Sequence, residues 1–376
     1  MAILFTSRSD QLRGQKWLCR ARVGLIDFRG VLVKPLSSKC VTYFDFIRFF
    51  LAQIVVIGHG FGFFFGYWDG FFPLKAPYIQ SIAVVGFFFV SGFLICRSVL
   101  ANIEYKGGDY LRYYVDRFAR IYTTLVPCLV FVLVVDYFGF LAFPNAGLRE
   151  NLNANAFLNS LSLVPSMPFG TMRPVWSLMF EWWIYILFGG IVFFRKNWIL
   201  SSVCIGFGGY YTFYVNAQGE AGHLEIIWFV GAFSAFLFER ISRVVGAKYL
   251  ASVVLLASVA AYLKTLNAYN VFAGVLLSIG LLLLAVGYNS DREMLRPRLS
   301  YAFSALAGYS FTLFLTHYTV LFWLQKIGFS GLSGLCISLV LSNAIAYAIA
   351  YVTESHHKEI SSKLLGFINL WRSKLV

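Results

Sequence analysis

The sequence contains little charge. Only 13% of its 376 residues are Asp, Glu, Lys or Arg, whereas 59% are hydrophobic. An average soluble domain has about twice this charged share, so the composition excludes a soluble globular protein. It predicts an all-α, polytopic integral membrane protein, because a segment exposed to lipid must satisfy its backbone hydrogen bonds within a helix.

Cysteine is also scarce. The six cysteines are scattered and form no Cys-x-x-Cys pair, so we expect neither a disulfide framework nor a zinc site, and no metal. The first 42 residues are basic and have no apolar run long enough for a cleavable signal. We therefore expect the first hydrophobic segment to remain in the protein as a membrane span.

Apolar segments long enough to cross the roughly 30 Å hydrocarbon core of a bilayer follow one another through most of the sequence. We predict about ten, at 43–66, 78–100, 120–142, 174–194, 198–216, 222–239, 249–267, 268–288, 301–325 and 331–353. They leave a basic cytoplasmic N-terminal tail at 1–42, a transmembrane domain at 43–353 and a cytoplasmic C-terminal tail at 354–376.

The net charge of +14 follows from the predicted topology. With a cytoplasmic N-terminus, 25 of the 31 Lys and Arg residues fall on the inner side, and Arg48 lies within the first span. The outer side receives only Lys75, Arg149, Arg173, Lys264 and Lys326. This asymmetry is the bias expected of a membrane protein, so the charge does not indicate a nucleic-acid partner, and both termini are expected in the cytoplasm.

Few ionisable side chains lie within the predicted spans, and each is a candidate functional residue because charge is costly in lipid. Counted from the span ends, His59, Glu181 and His317 lie roughly 10 to 12 Å below the outer face, at about 1.5 Å per residue. Asp136 is at nearly the same depth. We expect a buried polar cluster there, which could instead serve only to fix helix packing.

Arg48 and His59 are related by the helical repeat. They are 11 residues apart, which places them on one helix face about 16 Å apart. That spacing suits a long thin substrate that enters from the cytoplasm with an anionic head at Arg48. Arg97, Arg117 and Arg120 near the inner ends of spans two and three could hold a nucleotide phosphate, or, like Arg48, could be ordinary inner-side cations.

Four segments resemble the signatures of acyltransferase family 3, in that family's order. They are Arg48 to His59 with ten residues between them, "GFFFVSGFLI" at 86–95, "RPVWSLMFEWWIYIL" at 173–187 and "LAGYSFTLFLTH" at 306–317. Members of the family are integral membrane enzymes that move acyl groups, usually acetyl, from acyl-coenzyme A to carbohydrates. Each segment alone is a weak signal, but four in order are specific.

The resemblance implies a function and a set of site residues. His59 is expected to act as general base, with Glu181 either orienting the imidazole or stabilising its cation, and an intermediate with the acyl group on the histidine is an open alternative. Arg48, Arg97, Arg117 and Arg120 are expected to bind acyl-CoA, of which acetyl-CoA is the expected form. Ser91, Trp176, Tyr185 and His317 are expected to support the site. The acceptor is expected to be a carbohydrate or lipid-linked glycan, and the location the bacterial inner membrane.

Two other interpretations remain open at this point. The same buried His, Glu and Asp residues could form the proton relay of a transporter, including an exporter of lipid-linked sugars. A structural subunit of a polysaccharide assembly complex would have a similar composition but would leave Arg48 and His59 unexplained. The sequence shows no inverted repeat of the kind that many transporters have, which favours the enzyme.

Overall fold

The computed structural model describes residues 34–67, 78–148, 150–215, 223–241, 244–290 and 296–374. Helices dominate, at 83%, and these ranges contain no strand. This confirms the prediction of an all-α, polytopic membrane protein. Most of the predicted N-terminal tail lies outside the described residues.

Thirteen α-helices are described within these ranges. They are α1 Ser38–Phe65, α2 Ile79–Lys106, α3 Tyr110–Ala142, α4 Ala154–Ser162, α5 Val175–Phe193, α6 Trp198–Gly209, α7 Leu224–Ile241, α8 Ala247–Thr265, α9 Val271–Ser290, α10 Pro297–Ala307, α11 Ser310–Lys326, α12 Gly331–Val352 and α13 His357–Lys374. A π-helical turn, Tyr210–Val215, continues α6, and a 3₁₀ turn, Glu354–His356, joins α12 to α13.

Local sequence determines where the first helices begin and end. Ser37 caps α1, because its hydroxyl accepts a hydrogen bond from the backbone N–H of Cys40. Gly66 ends α1 with φ of 73°, a left-handed conformation that glycine adopts without strain. Gly107 ends α2 in the same way, and Asp109 caps α3 two residues later. A short turn therefore joins α2 to α3.

The prediction of about ten spans is too high when helix length and hydropathy are both required. Among the described residues, seven helices are long and apolar enough to cross a membrane, or eight if α10 and α11 form one span. The predicted spans 198–216 and 222–239 do not meet the criteria of helix length and hydropathy. In the first, the α-helix ends at Gly209 and the chain continues as a π-helical turn to Val215, and the apolar part of α7 ends at Phe238. Counting apolar residues along the sequence does not detect such breaks.

Two features at the end of the chain add detail to the prediction. The predicted span 301–325 is two helices bent by 48°, with the break between Ala307 and Ser310. Beyond α12, the predicted C-terminal tail is helical and packs against α3. The Ser361 hydroxyl donates a hydrogen bond to Asp116 across that contact, 2.5 Å from its carboxylate oxygen. The tail is therefore joined to the transmembrane helices.

Helix α1 lies at the centre of the fold. It packs against α2, α9, α10, α11 and α12. Ala52 and Val55, which lie on the face shared by Arg48 and His59, are 0% and 1% exposed. The predicted Arg48–His59 face therefore points into the protein and away from lipid.

Helices α2 and α7 approach each other closely through two glycines. A methyl group added at Gly92 would lie 2.0 Å from the carbonyl oxygen of Trp228, and one at Gly231 would lie 2.3 Å from that of Phe89. No side chain fits these positions, because backbone occupies the space. The close contact brings Trp228 of α7 next to Ser91 of α2.

The link between α3 and α5 enters the protein before α5 begins. Thr171 and Met172 are 1% and 0% exposed. Asp136 of α3 holds this segment: its carboxylate accepts hydrogen bonds from the Thr171 N–H at 2.7 Å, the Thr171 hydroxyl at 2.9 Å and the Trp323 indole N–H at 2.8 Å. Because the link descends into the protein, α5 begins below the outer ends of the other helices.

Candidate functional site

His59 and His317 form a hydrogen-bonded pair between α1 and α11. The Nδ1 atom of His59 lies 3.0 Å from Nε2 of His317, and the two rings stack with centroids 5.2 Å apart. His317 is fully buried, whereas His59 is half-buried. The sequence placed these histidines at one depth, and the structure brings them into contact.

The hydrogen bonds around the pair determine which ring nitrogen of each neutral imidazole carries the proton. Nδ1 of His317 lies 3.0 Å from the carbonyl oxygen of Leu313, and a carbonyl can only accept, so this nitrogen carries the proton. Nε2 of His317 is then an acceptor for the N–H at Nδ1 of His59. Nε2 of His59 is left with a free lone pair, the form that a general base requires.

His59 lines a pocket of about 380 Å³, at the end of the helices that the sequence predicts to face outward. The other lining residues are Gln80, Pro168, Arg173, Trp176 and Tyr318. The ring of Tyr318 meets His59 edge-on at 5.3 Å. We refer to this cavity as the outer pocket. It combines aromatic surface, a cation and a candidate base, and it includes the predicted supporting residue Trp176.

Glu181 lies at the end of a series of hydrogen bonds that runs in one direction. The Trp228 indole N–H donates to the Ser91 hydroxyl at 3.1 Å. The hydroxyls of Ser91 and Tyr185 lie 2.8 Å apart, and the Tyr185 hydroxyl donates to a Glu181 carboxylate oxygen at 2.6 Å. Since Tyr185 uses its proton on Glu181, Ser91 is the donor to Tyr185. The structure thus joins Glu181 to the predicted supporting residues Ser91 and Tyr185.

The structure divides the polar cluster that equal depth predicted. Gln80 packs beside Gly58, next to His59 in the sequence, and Ser91 lies 11 residues further along α2, about 16 Å nearer the level of Arg48. Because Ser91 bonds to Tyr185, the Glu181 group lies nearer the level of Arg48 than of His59. The low start of α5 explains the difference. His59 is therefore joined to His317, and Glu181 belongs to a separate group with Tyr185.

At the Arg48 end of the Arg48–His59 face, which we call the inner end, the arginines of α1 and α3 lie close to carboxylates. Arg48 is 4.0 Å from Asp45, one turn away. Arg120 is 3.0 Å from a carboxylate oxygen of Glu354 in the 3₁₀ turn. The other Glu354 oxygen accepts hydrogen bonds from the N–H and the hydroxyl of Thr312, at 3.2 and 2.9 Å. Arg48 lies within electrostatic range of both Arg120 and Glu354, so these charges form one group.

The two remaining predicted donor-binding arginines have different surroundings. Arg97 is buried, donates to the Lys34 carbonyl at 2.5 Å and lies over the Phe238 ring at 5.1 Å. It therefore holds the segment that precedes α1. Arg117 donates to the Ser98 hydroxyl at 3.3 Å, and its buried Nε has no hydrogen-bond partner. Arg117 thus keeps an unused donor.

Comparison with known families identifies the chain. The family model described as an acyltransferase domain, that of acyltransferase family 3, matches residues 41–351. The chain belongs to acyltransferase family 3. No curated protein and no solved structure matches it.

Membership of acyltransferase family 3 makes the protein a membrane acyltransferase. The match includes both the His59–His317 pair and the Glu181 series, and Arg48, Arg97, Arg117 and Arg120 all fall within it. Glu354 lies just beyond its end. Among the described residues, no group of three or more His, Cys, Asp or Glu side chains is placed to hold a metal ion.

Several residues of the site were not found from the sequence. Tyr318 directly follows His317, and Gln80 lies at the start of α2, but neither carries a charge that would attract attention. Arg173 appeared only as an outer cation, although it begins the segment that contains Glu181. Glu354 was assigned to the C-terminal tail, yet it is 1% exposed and paired with Arg120.

Proposed function

We propose that this membrane acyltransferase moves an acyl group, the acetyl group being the expected one, from acyl-CoA to a hydroxyl of a carbohydrate or lipid-linked glycan. The observation that carries the proposal is the His59–His317 pair at the outer pocket. A half-buried imidazole with a free lone pair on Nε2 suits the removal of a proton from an acceptor hydroxyl.

The proposed reaction is a direct transfer. Nε2 of His59 takes the hydroxyl proton as the acceptor oxygen attacks the thioester carbon. The new C–O bond forms, the C–S bond breaks, and the proton passes from His59 to the departing thiolate. Coenzyme A leaves as the thiol and His59 returns to its neutral form. His317 holds the imidazole so that Nε2, and not Nδ1, is the basic nitrogen.

The donor is proposed to bind from the cytoplasm, with its phosphates near Arg48, Arg117 and Arg120. Arginine binds phosphate through two parallel hydrogen bonds, and the spare Nε of Arg117 is suited to this. An extended pantetheine arm is of the right order to span the roughly 16 Å from Arg48 to His59. Glu181, at the inner level, would then lie beside the arm, which differs from its expected place beside His59.

The proposed location is the inner membrane of a bacterium, with both termini in the cytoplasm. The uneven distribution of Lys and Arg supports this orientation. Cysteines introduced at Asn155 and Tyr105, both exposed, test it with a reagent that does not cross membranes. Asn155→Cys should react in intact cells, and Tyr105→Cys only after permeabilisation. The reverse pattern would contradict the orientation.

The function is tested by an acyl-transfer assay with labelled acetyl-CoA in membranes that contain the protein. Removing a general base lowers rates by about 10² to 10⁴-fold, and we expect this for His59→Ala, normalised to inserted protein. Donor binding should not change. His356→Ala is a matched control, because His356 is exposed and distant in sequence from both histidines. Near-normal transfer by well-inserted His59→Ala would move the role of base to His317.

A further inference from the structure

The outer pocket has an arginine in its wall, on the side of the membrane where cations are rare. Only five Lys and Arg residues were assigned to the outer side. Of the three that the structure describes, Arg173, Lys264 and Lys326, Arg173 lines the outer pocket with His59. Selection for orientation disfavours outer cations in short segments. The orientation bias therefore does not account for Arg173, and its position in the pocket wall allows it to contact a ligand.

Among the described residues, none neutralises the charge of Arg173. No carboxylate lies within ion-pair distance of it in the part of the chain that the structure describes. Its hydrogen bond is to the thioether sulfur of Met167, 3.8 Å away, and sulfur is a weak acceptor. By contrast, Arg48, Arg112 and Arg120 each lie within 4.0 Å of a carboxylate. The guanidinium of Arg173 thus keeps most of its donors for a ligand.

The backbone of Arg173 is fixed despite the exposed side chain. Its N–H donates to the carbonyl of Thr171 at 2.7 Å, and Thr171 is in turn held by Asp136. The carbonyl of Arg173 accepts from the N–H of Trp176 at the start of α5. The link therefore presents the cation and the indole to the same pocket.

We propose that the acceptor bound in the outer pocket carries an anionic group, a carboxylate or a phosphate, which Arg173 binds. The proposal rests on the proposed function, since it names the chemistry of the acceptor. Trp176 and Tyr318 offer aromatic surface for the sugar, and Arg173 offers paired donors for the anion. The anion at Arg173 orients the sugar, so that the hydroxyl near His59 is the one acylated.

Binding measured without any acyl donor tests the proposal independently of catalysis. The probes are glucuronate, glucose 1-phosphate and neutral glucose, each titrated calorimetrically into the purified protein. A charged hydrogen bond contributes enough for about a tenfold difference in affinity, so wild type should bind at least one anionic probe about tenfold more tightly than glucose. Stronger binding of glucuronate would indicate a sugar carboxylate, and stronger binding of glucose 1-phosphate a phosphate at the reducing end.

Variants locate the anion. Arg173→Gln should abolish the preference, Arg173→Lys should keep part of it, and Lys264→Gln, which alters another exposed outer cation, should leave it intact. Equal affinity of wild type for all three probes would overturn the proposal. So would a preference that survives Arg173→Gln but disappears in Arg48→Ala, because the anion would then bind on the inner side. An Arg173-dependent preference without acyl transfer would instead refute the proposed function alone.

Discussion

The outer and inner ends of the Arg48–His59 face of α1 have opposite electrostatic character. At the outer end, neutral imidazoles bond to each other and to a backbone carbonyl, and no carboxylate contacts them among the described residues. At the inner end, two arginines are balanced by Asp45 and Glu354. One helix thus supplies a neutral group where a proton is proposed to move, and charged groups where a polyanionic donor is proposed to bind.

The sharpest test of the outer end concerns His317, which we treat as a positioning residue. His317→Ala removes the acceptor for the Nδ1–H of His59, so the proton of His59 is no longer held on Nδ1. We expect kcat to fall by about 10 to 100-fold, which corresponds to an increase of about 1.4 to 2.8 kcal/mol in the barrier. His317→Gln should restore part of it, because the amide oxygen can accept the same hydrogen bond. The measurement is kcat across pH for both variants.

A purely structural role for His317 would give a different result. Both variants would then lower the amount of folded protein, while kcat per folded molecule stayed the same.

The inner end is tested through the donor. Arg48→Ala and Arg117→Ala should each raise the KM for acetyl-CoA by about tenfold or more, since one phosphate contact is worth about 1.5 to 3 kcal/mol, with a smaller change in kcat. The measurement is initial rate against donor concentration. Lys106→Ala, an exposed inner cation at the end of α2, is the control. If both arginine variants had the KM of wild type, Arg48 and Arg117 would not bind the donor and would only contribute to the inner-side excess of positive charge.

A variant of Glu181 tests whether this residue acts with the donor-binding arginines at the inner end or with the base at the outer end. Glu181→Gln keeps an oxygen that accepts from Tyr185 but removes the charge, and we expect a loss of activity of about tenfold or less, milder than for His59→Ala. If Glu181 serves the inner end, the loss should appear partly in the donor KM. A loss as large as that of His59→Ala, confined to kcat, would instead place Glu181 with the base.

The smallest expected effect on catalysis is at Asp136, which contacts neither histidine of the pair and reaches the outer pocket only through the backbone of Thr171. Its carboxylate accepts from three donors, so Asp136→Asn turns an amide N–H toward at least one of them. We expect a decrease in the free energy of unfolding of about 1 to 3 kcal/mol, seen as a lower melting temperature in detergent. Activity per folded molecule should change little, and a large kinetic defect in stable protein would show that Asp136 acts in the reaction.

The fold was largely predictable because lipid imposes simple rules. All ten predicted segments are largely helical where the structure describes them, and the Arg48–His59 relation holds because α1 is one unbroken helix. The breaks in helix were not predictable. The bend before Ser310 and the π-helical turn after Gly209 depend on packing against neighbours, which hydropathy does not measure.

Residue counts from the span ends gave the correct relative depth for His59 and His317 but not for His59 and Glu181, and the reason is physical. His59 and His317 lie on helices whose outer ends are level, so equal residue counts gave equal depth. Glu181 lies on α5, whose start is drawn into the protein by the contacts of Thr171 with Asp136. The sequence carries no obvious sign of that descent, since a buried link and a solvated loop have similar composition.

The His59–His317 pair also bears on how the protein is made. The two histidines are 258 residues apart in the sequence, and synthesis proceeds at about 5 to 20 residues per second. The first helix therefore waits in the membrane for about 10 to 50 s before the eleventh is complete. During that time His59 has no partner from α11, so the newly inserted helices contain the proposed donor-binding arginines of α1 to α3 but not the histidine pair. On the proposed mechanism, a ribosome-bound chain is inactive until its last third has entered the membrane.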